Sequence, residues 1–118
     1  MPGKYGFPRQ ERLTRKREFL AVYENGRKCV GAGLVCYAWR REGQGRKIGF
    51  TVSRKVGGAT VRNRVKRHLR EAVRACRPEL PEEVHVVFIA RRVASEYDFH
   101  ECHRAVRDLL RREGMIHG

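Results

Sequence analysis

The sequence predicts an α+β fold. It reads as a single-domain α/β sandwich in the order helix–three strands–helix–strand–helix, with a four-stranded mixed sheet containing a β-α-β crossover. Three observations lead there. Residues 34–41 and 46–53 alternate with a period of two, as strands do. From Val61 to Arg77 the apolar residues recur at about 100° per residue, the period of an amphipathic helix. Residues 84–90 are almost continuously apolar, as expected of a strand covered on both faces. With 118 residues, 41% of them hydrophobic, the chain has material for one core and not for two.

In chain order, residues 1–12 are basic and contain Gly and Pro, and are expected to form a loosely ordered arm. The domain proper is expected over residues 13–113, with residues 114–118 as a frayed tail. Thr14 suits the N-cap of a short helix, and Gly26 its C′ position. Phe19, Val22 and Tyr23 share one face of it, and the pattern alone puts that face against the sheet. A short strand is expected at residues 28–30. In the second strand, Val35, Tyr37 and Trp39 alternate with Leu34, Cys36 and Ala38. In the third, Ile48, Phe50 and Val52 alternate with Gly49, Thr51 and Ser53. Glu42-Gly43-Gln44-Gly45 reads as a hairpin loop between these two. Pro78 and Pro81 punctuate the connection after the basic helix. The separation of the third and fourth strands by a helix implies parallel pairing. Asp98 and Glu101 fit a capping box opening the last helix, with Phe99, Cys102, Val106, Leu109 and Leu110 as its buried stripe.

Charge dictates the partner. The formal net charge is +14, which makes nucleic acid the default ligand. In the basic helix, Val61, Val65, Leu69, Ala72 and Cys76 form the apolar stripe, with Val73 at its edge. Asn63, Lys66, Arg67, Arg70, Arg74 and Arg77 lie opposite, Arg62 takes the shoulder nearest the core, and Arg64 lies on the other flank. Glu71 is the one acid between Arg54 and Arg77, so like-charge repulsion is left for a polyanion to relieve. Gly57 and Gly58 precede the helix and allow unusual backbone angles or close approach to a phosphate, although the Walker ending is absent. No apolar signal segment or transmembrane-length run occurs, so a cytoplasmic protein without a membrane partner is expected.

Cys29, Cys36, Cys76 and Cys102 fall within apolar patterns and form no C-x-x-C pair, which favours buried free thiols. His100, Cys102 and His103 invite a zinc reading, but Cys102 and His103 diverge by about 100° around a helix, and no metal site is expected. The acids are scattered, and neither His68 nor His85 has an acid–base partner in sequence. No catalytic residue is therefore expected.

Arg54-Lys55-Val56-Gly57, then Ala59, then Arg62-Asn63-Arg64-Val65-Lys66-Arg67, then Leu69-Arg70-Glu71 resemble, in type and spacing, the central motif of the protein component of bacterial ribonuclease P. The likeness extends to Arg12-Leu13 with Phe19 and Tyr23, and to Ala90-Arg91-Arg92 with Ala94-Ser95. It implies a left-handed β-α-β crossover. It also implies a catalytic RNA that uses magnesium to remove the 5′ leader of precursor tRNA, the metal being bound mainly by the RNA component. The protein would bind that RNA and the leader, one protein per catalytic RNA, and be monomeric when free. By the resemblance, Arg54, Lys55, Arg62, Asn63, Arg64, Lys66, Arg67, Arg70 and Arg74 meet RNA. Phe19, Tyr23, Tyr37 and Phe50 line a leader-binding cleft. The alternative is a structural, ribosomal-type RNA-binding protein with no role in tRNA processing. A DNA-binding regulator fits less well, because a strand and glycine loop precede the basic helix where a helix-turn-helix needs a companion helix.

Overall fold

A computed structural model of the chain describes residues 7–116. The elements are α1 (Lys16–Asn25), β1 (Arg27–Val30), β2 (Leu34–Arg40), β3 (Lys47–Thr51), α2 (Ala59–Cys76), β4 (Val84–Ala90) and α3 (Phe99–Arg112). The four strands form one mixed sheet in the order β1-β2-β4-β3. β4 runs antiparallel to β2 and parallel to β3. The parallel pairing expected across the helix is present. The hairpin expected between the second and third strands is not, because β4 lies between them. The connecting loop crosses over a strand instead, turning at Gly43 and Gly45 with φ of 76° and 77°. β4 is apolar apart from His85 because both of its faces are covered.

One layer of the sandwich is α2 and α3, the other is α1. Leu34, Cys36, Val84, Val86 and Phe88 face α2 and α3 and meet Leu69, Val73, Val106 and Leu109 in the main core. On the other face, Val87 and Ile89 join Tyr37 and Trp39 beneath Leu13, Phe19, Val22 and Tyr23. α1 alone does not cover that face, and the aromatic rings there stay half-buried.

The start of α1 differs from expectation. Thr14 does not cap it. The helix begins at Lys16, and the Glu18 carboxylate reaches back to accept the backbone N–H of Arg15 at 2.9 Å and of Thr14 at 3.1 Å, while Lys47 donates from 3.3 Å. The Arg15 N–H first, then Thr14 and Lys47, outweigh the cost of burial and hold this carboxyl at about 2, against an ordinary 4.5. A depressed carboxylate stabilises the fold above its unfolded pKa and loses that contribution as pH falls towards its folded one. Glu18→Gln is therefore expected to cost about 1–2 kcal/mol at pH 7. It is also expected to flatten the stability loss between pH 4.5 and 2, which urea unfolding at stepped pH reads directly. A parent and variant with parallel pH profiles would refute it. Gly26 likewise works otherwise than expected. Its φ of −83° is ordinary, but a Cβ there would sit 2.6 Å from the Val22 carbonyl oxygen.

Residues 7–12 and 114–116 are packed, where the sequence suggests a loose arm and a frayed tail. From Phe7 onward the arm is packed, Phe7 and Leu13 being 3% and 6% exposed. The Arg12 guanidinium donates twice to the Phe7 carbonyl oxygen, and the Leu13 N–H donates to Ile48 at 3.0 Å. Glu11 takes Arg77 at 2.6 Å and Arg46 at 3.2 Å. Burial opposes its charge, but those two guanidinia prevail and hold its carboxyl below the ordinary value. The physical reason is the open edge of β3, which this segment covers. At the other end α3 closes in a Schellman turn. Gly114 takes φ 70°, its N–H reaches Arg111, and the Met115 N–H reaches Leu110. Met115 and Ile116 are thereby buried, so the tail expected from residue 114 is packed through Ile116. The outer parts of the expected arm and tail, residues 1–6 and 117–118, lie outside the described residues.

The last helix opens as expected: Glu101 N–H donates to Asp98 and Asp98 N–H to Glu101, at 2.8 and 3.0 Å. Cys29, Cys36, Cys76 and Cys102 are free and buried. Burial pushes the Cys102 thiol up to about 12, so it is a core group. Among the described residues no helix is long and apolar enough to cross a membrane.

Candidate nucleic-acid interface

The alternation of β2 sends Tyr37 and Trp39 to the face that α1 half covers, and the helical spacing of Phe19 and Tyr23 aims both at them. Tyr23 and Tyr37 meet edge to face, centroids 5.0 Å apart. The Tyr23 hydroxyl lies 3.3 Å from the Thr51 hydroxyl, fixing α1 against the end of β3. Gly49 is required here. A Cβ would stand 2.7 Å from the Phe19 ring and 3.1 Å from Leu13 Cβ, so only glycine lets that ring lie on the strand. The result is a half-open aromatic cleft whose rings stay accessible to a flat ligand.

Cations border it. The Lys28 ammonium lies 5.9 Å from the Tyr37 ring, and the Arg41 guanidinium sits 4.0 Å over Trp39. The His85 ring stands edge-on to Trp39 from 6.1 Å away. Burial first, then Arg41 and Lys47, hold His85 below its ordinary 6.5, so it is neutral at pH 7 and adds no charge. The motif singles out none of Lys28, Trp39 or Arg41. For Trp39 the signal is the alternation shared with Tyr37, whereas the two cations are brought in by strand register.

Phe50 does not belong to this cleft. It projects from the opposite face of β3, stacks on Phe88 at 5.8 Å and 19°, and meets Phe7 at 6.1 Å. This is what its alternation with Gly49 and Thr51 dictates. It approaches Phe19 only around the sheet edge, where both line a cavity of about 220 Å³ together with Leu13 and Arg70.

α2 lies on the other layer and buries Val65, Leu69, Ala72, Val73 and Cys76. Asn63, Arg67 and Arg74 are exposed, Lys66 is half-buried, and Arg54 and Lys55 are exposed in the turn before the helix. Three of the predicted RNA-binding arginines are placed differently. Arg64 donates to the Ser95 carbonyl oxygen at 2.6 Å and so ties α2 to the segment before α3. Arg70 is half-buried with its guanidinium 6.0 Å from the Phe50 ring. The Arg62 Nε is buried and finds no partner among the described residues. His68 on the same helix is held below 6.5 by burial and then by Arg67.

The glycines before α2 need no unusual angles: Gly58 is extended, with φ −72° and ψ 179°. Gly57 is needed for space, since a Cβ would stand 2.8 Å from Val61. Gly58 offers no side-chain acceptor and the first turn of α2 has no acid, which leaves its backbone N–H groups to an outside anion. Because α2 follows β3, this basic turn lies at the end of the strand where Tyr23 meets Thr51. Aromatic cleft and basic helix are thus neighbours across one strand end. Among the described residues, no three His, Cys, Asp or Glu side chains gather closely enough to hold a metal ion.

Comparison with known proteins accords with this geometry. The family model for ribonuclease P matches residues 7–114. The chain is 42% identical over 113 residues to the ribonuclease P protein component of Desulfovibrio desulfuricans, covering 92% of this chain and 87% of that one. With the same component of Symbiobacterium thermophilum it shares 37% over 106 residues, 89% of this chain and 92% of the relative. The ribonuclease P protein from Thermotoga maritima superposes with a TM-score of 0.77 at 31% identity, covering 92% of this chain and 99% of that one. The Staphylococcus aureus protein superposes with a TM-score of 0.83 over 91% of this chain and 98% of that one; at 21% identity it speaks to the fold alone. The chain belongs to the ribonuclease P protein family.

Proposed function

We propose that this protein is the subunit of a bacterial ribonuclease P that grips both the catalytic RNA and the 5′ leader of precursor tRNA, promoting removal of the leader. The observation that carries this reading is the junction of two surfaces at one strand end: the half-open ring cleft of Phe19, Tyr23 and Tyr37, and the basic turn and helix from Arg54 to Arg74. A cleft lined by accessible rings takes single-stranded bases of varied sequence at about 1–3 kcal/mol each. A helix cannot enter the narrow major groove of A-form RNA, so α2 meets phosphates and shaped junctions. The two grips together hold the leader beside the RNA that cuts it.

In this reading the protein contributes position and charge, and the chemistry is the RNA's. The magnesium ions belong to the RNA component. The α2 face carries cations, which suit phosphates and repel a divalent ion. The protein works in the cytoplasm, one copy per catalytic RNA, and is a monomer when free.

The test is precursor-tRNA cleavage at low magnesium by a bacterial ribonuclease P RNA, with and without the protein. Correct 5′ ends are expected only with protein. Salt-sensitive RNA binding without stimulation by any of several such RNAs would favour a structural RNA-binding protein. A finer test uses Arg67, exposed on α2. Arg67→Ala is expected to make the slope of log K against log salt shallower by about 0.7–0.9, with an unchanged melting temperature. An unchanged slope would remove Arg67 from the interface.

A further inference from the structure

A second basic site lies where α1 begins, at the end of the aromatic cleft opposite the basic turn that opens α2. An open pocket of about 430 Å³ at the start of α1 is lined by Arg9, Arg12, Arg15, Arg17, Lys47 and Glu18, among others. We propose that this pocket holds backbone phosphates of the leader segment that has already passed through the cleft, an assignment that rests on the leader-binding reading above.

The argument begins with charge. Five cations surround the pocket and one carboxylate, Glu18, faces them. That carboxylate is already engaged by two backbone N–H groups and by Lys47, so the helix start is capped from within and its amides are not the site. Arg12 is occupied with the Phe7 carbonyl oxygen. Arg9, Arg15 and Arg17 are exposed and form no ion pair among the described residues. The nearby arginines at 46 and 77, by contrast, share Glu11 as an ion-pair partner. The pocket therefore carries uncompensated positive charge, which an incoming polyanion relieves.

Position identifies which polyanion. α1 runs alongside β3: Glu18 meets Lys47 at the start of the strand, and Tyr23 meets Thr51 at its end. The strand covers about 13 Å between those points. A single strand held near the basic turn at the Thr51 end and stacked on Tyr23 and Phe19 leaves the cleft beside Lys47. Its phosphates then arrive among Arg9, Arg15 and Arg17. Phe19 on Gly49 and Tyr23 on Thr51 close the gap between α1 and β3, so the leader, a single strand, passes over these rings and not beneath the helix.

The experiment uses the reconstituted holoenzyme and two precursor tRNAs, with leaders of about two and about ten nucleotides; only the longer runs through the cleft. Affinity is measured across a salt series for the parent and for Arg15→Ala/Arg17→Ala, with melting temperatures to confirm folding. The double variant is expected to bind the long-leader substrate about tenfold more weakly, with a salt slope shallower by about 1–2, and the short-leader substrate as the parent does. Arg17→Glu is expected to reproduce the loss with one substitution. Equal affinities for the long-leader substrate would overturn the proposal. So would an equal loss with both substrates, which would assign the pocket to the catalytic RNA. If the parent holoenzyme itself shows no gain from the longer leader, the leader-binding reading fails along with it, a result separable from failure of the pocket alone.

Discussion

Replacing Lys66, Arg67 and Arg74 together by alanine is expected to weaken binding of the catalytic RNA about 100-fold at physiological salt. Each phosphate contact contributes about 0.7–0.9 to the slope of log K against log salt, so three lost contacts flatten it by about 2–3. Extrapolated to 0.15 M, that change alone gives about two decades of affinity. These three are the informative choice because their heads make no ion pair or hydrogen bond within the described residues, and Arg67 and Arg74 are exposed. Melting temperature is expected to change little. Arg64→Ala is the contrasting control: it removes the 2.6 Å bond to Ser95, so stability falls along with binding. Filter binding or fluorescence titration over a salt series measures the effect. A triple variant with the parent slope would take the α2 face out of the interface.

Phe88→Ala is expected to cost about 3–5 kcal/mol of folding stability. Phe88 is fully buried at the middle of the central strand, and Phe50 stacks on it from 5.8 Å. Its neighbours across the sheet are Cys36 and Phe50, and both strands are held in register by hydrogen bonds, so the wall around the lost ring cannot collapse far. The expected signature is a lower denaturant midpoint with an unchanged m-value, and a melting temperature lower by about 10–20 °C. A loss under about 1 kcal/mol would show that the core is not built around this ring. Precursor binding measured well below the melting temperature should survive, because Phe88 faces away from the cleft.

Periodicity made some of this molecule legible and left other parts hidden. The burial of Val65, Leu69, Ala72 and Cys76, and the exposure of Asn63, Arg67 and Arg74, follow directly from helical spacing. The nearly continuous apolar run from Val84 to Ala90 marked its strand as covered on both faces for a local reason, its lack of a solvent-facing polar side. Alternation also put Phe50 with Ile48 and Val52; grouping it with Tyr37 went against that pattern, and the pattern prevailed. What periodicity cannot carry is adjacency. It says which face a strand shows and not which strand lies beside it, so the insertion of β4 between β2 and β3 was invisible. The docking of residues 7–12 was hidden for the same reason. Its causes are Ile48 backbone groups and the Arg46 and Arg77 guanidinia, distant in sequence and close in space. The basic pocket at α1 escaped notice because its members come from that segment, from α1 and from β3.

The central position of β4 also sets the order of events during synthesis. β3 finds its only ladder partner among the named strands in β4, a segment that starts at Val84. Until the ribosome has released that segment, β3 has only the short bridge from Arg12 to pair with, and α2, already made, has only part of a sheet on which to lay its apolar stripe. The chain must then close long-range contacts late, a topology that folds slowly. During that interval the strongly cationic nascent chain is an open polyelectrolyte in a compartment crowded with RNA. It is exposed to indiscriminate anion capture until the fourth strand slots into place.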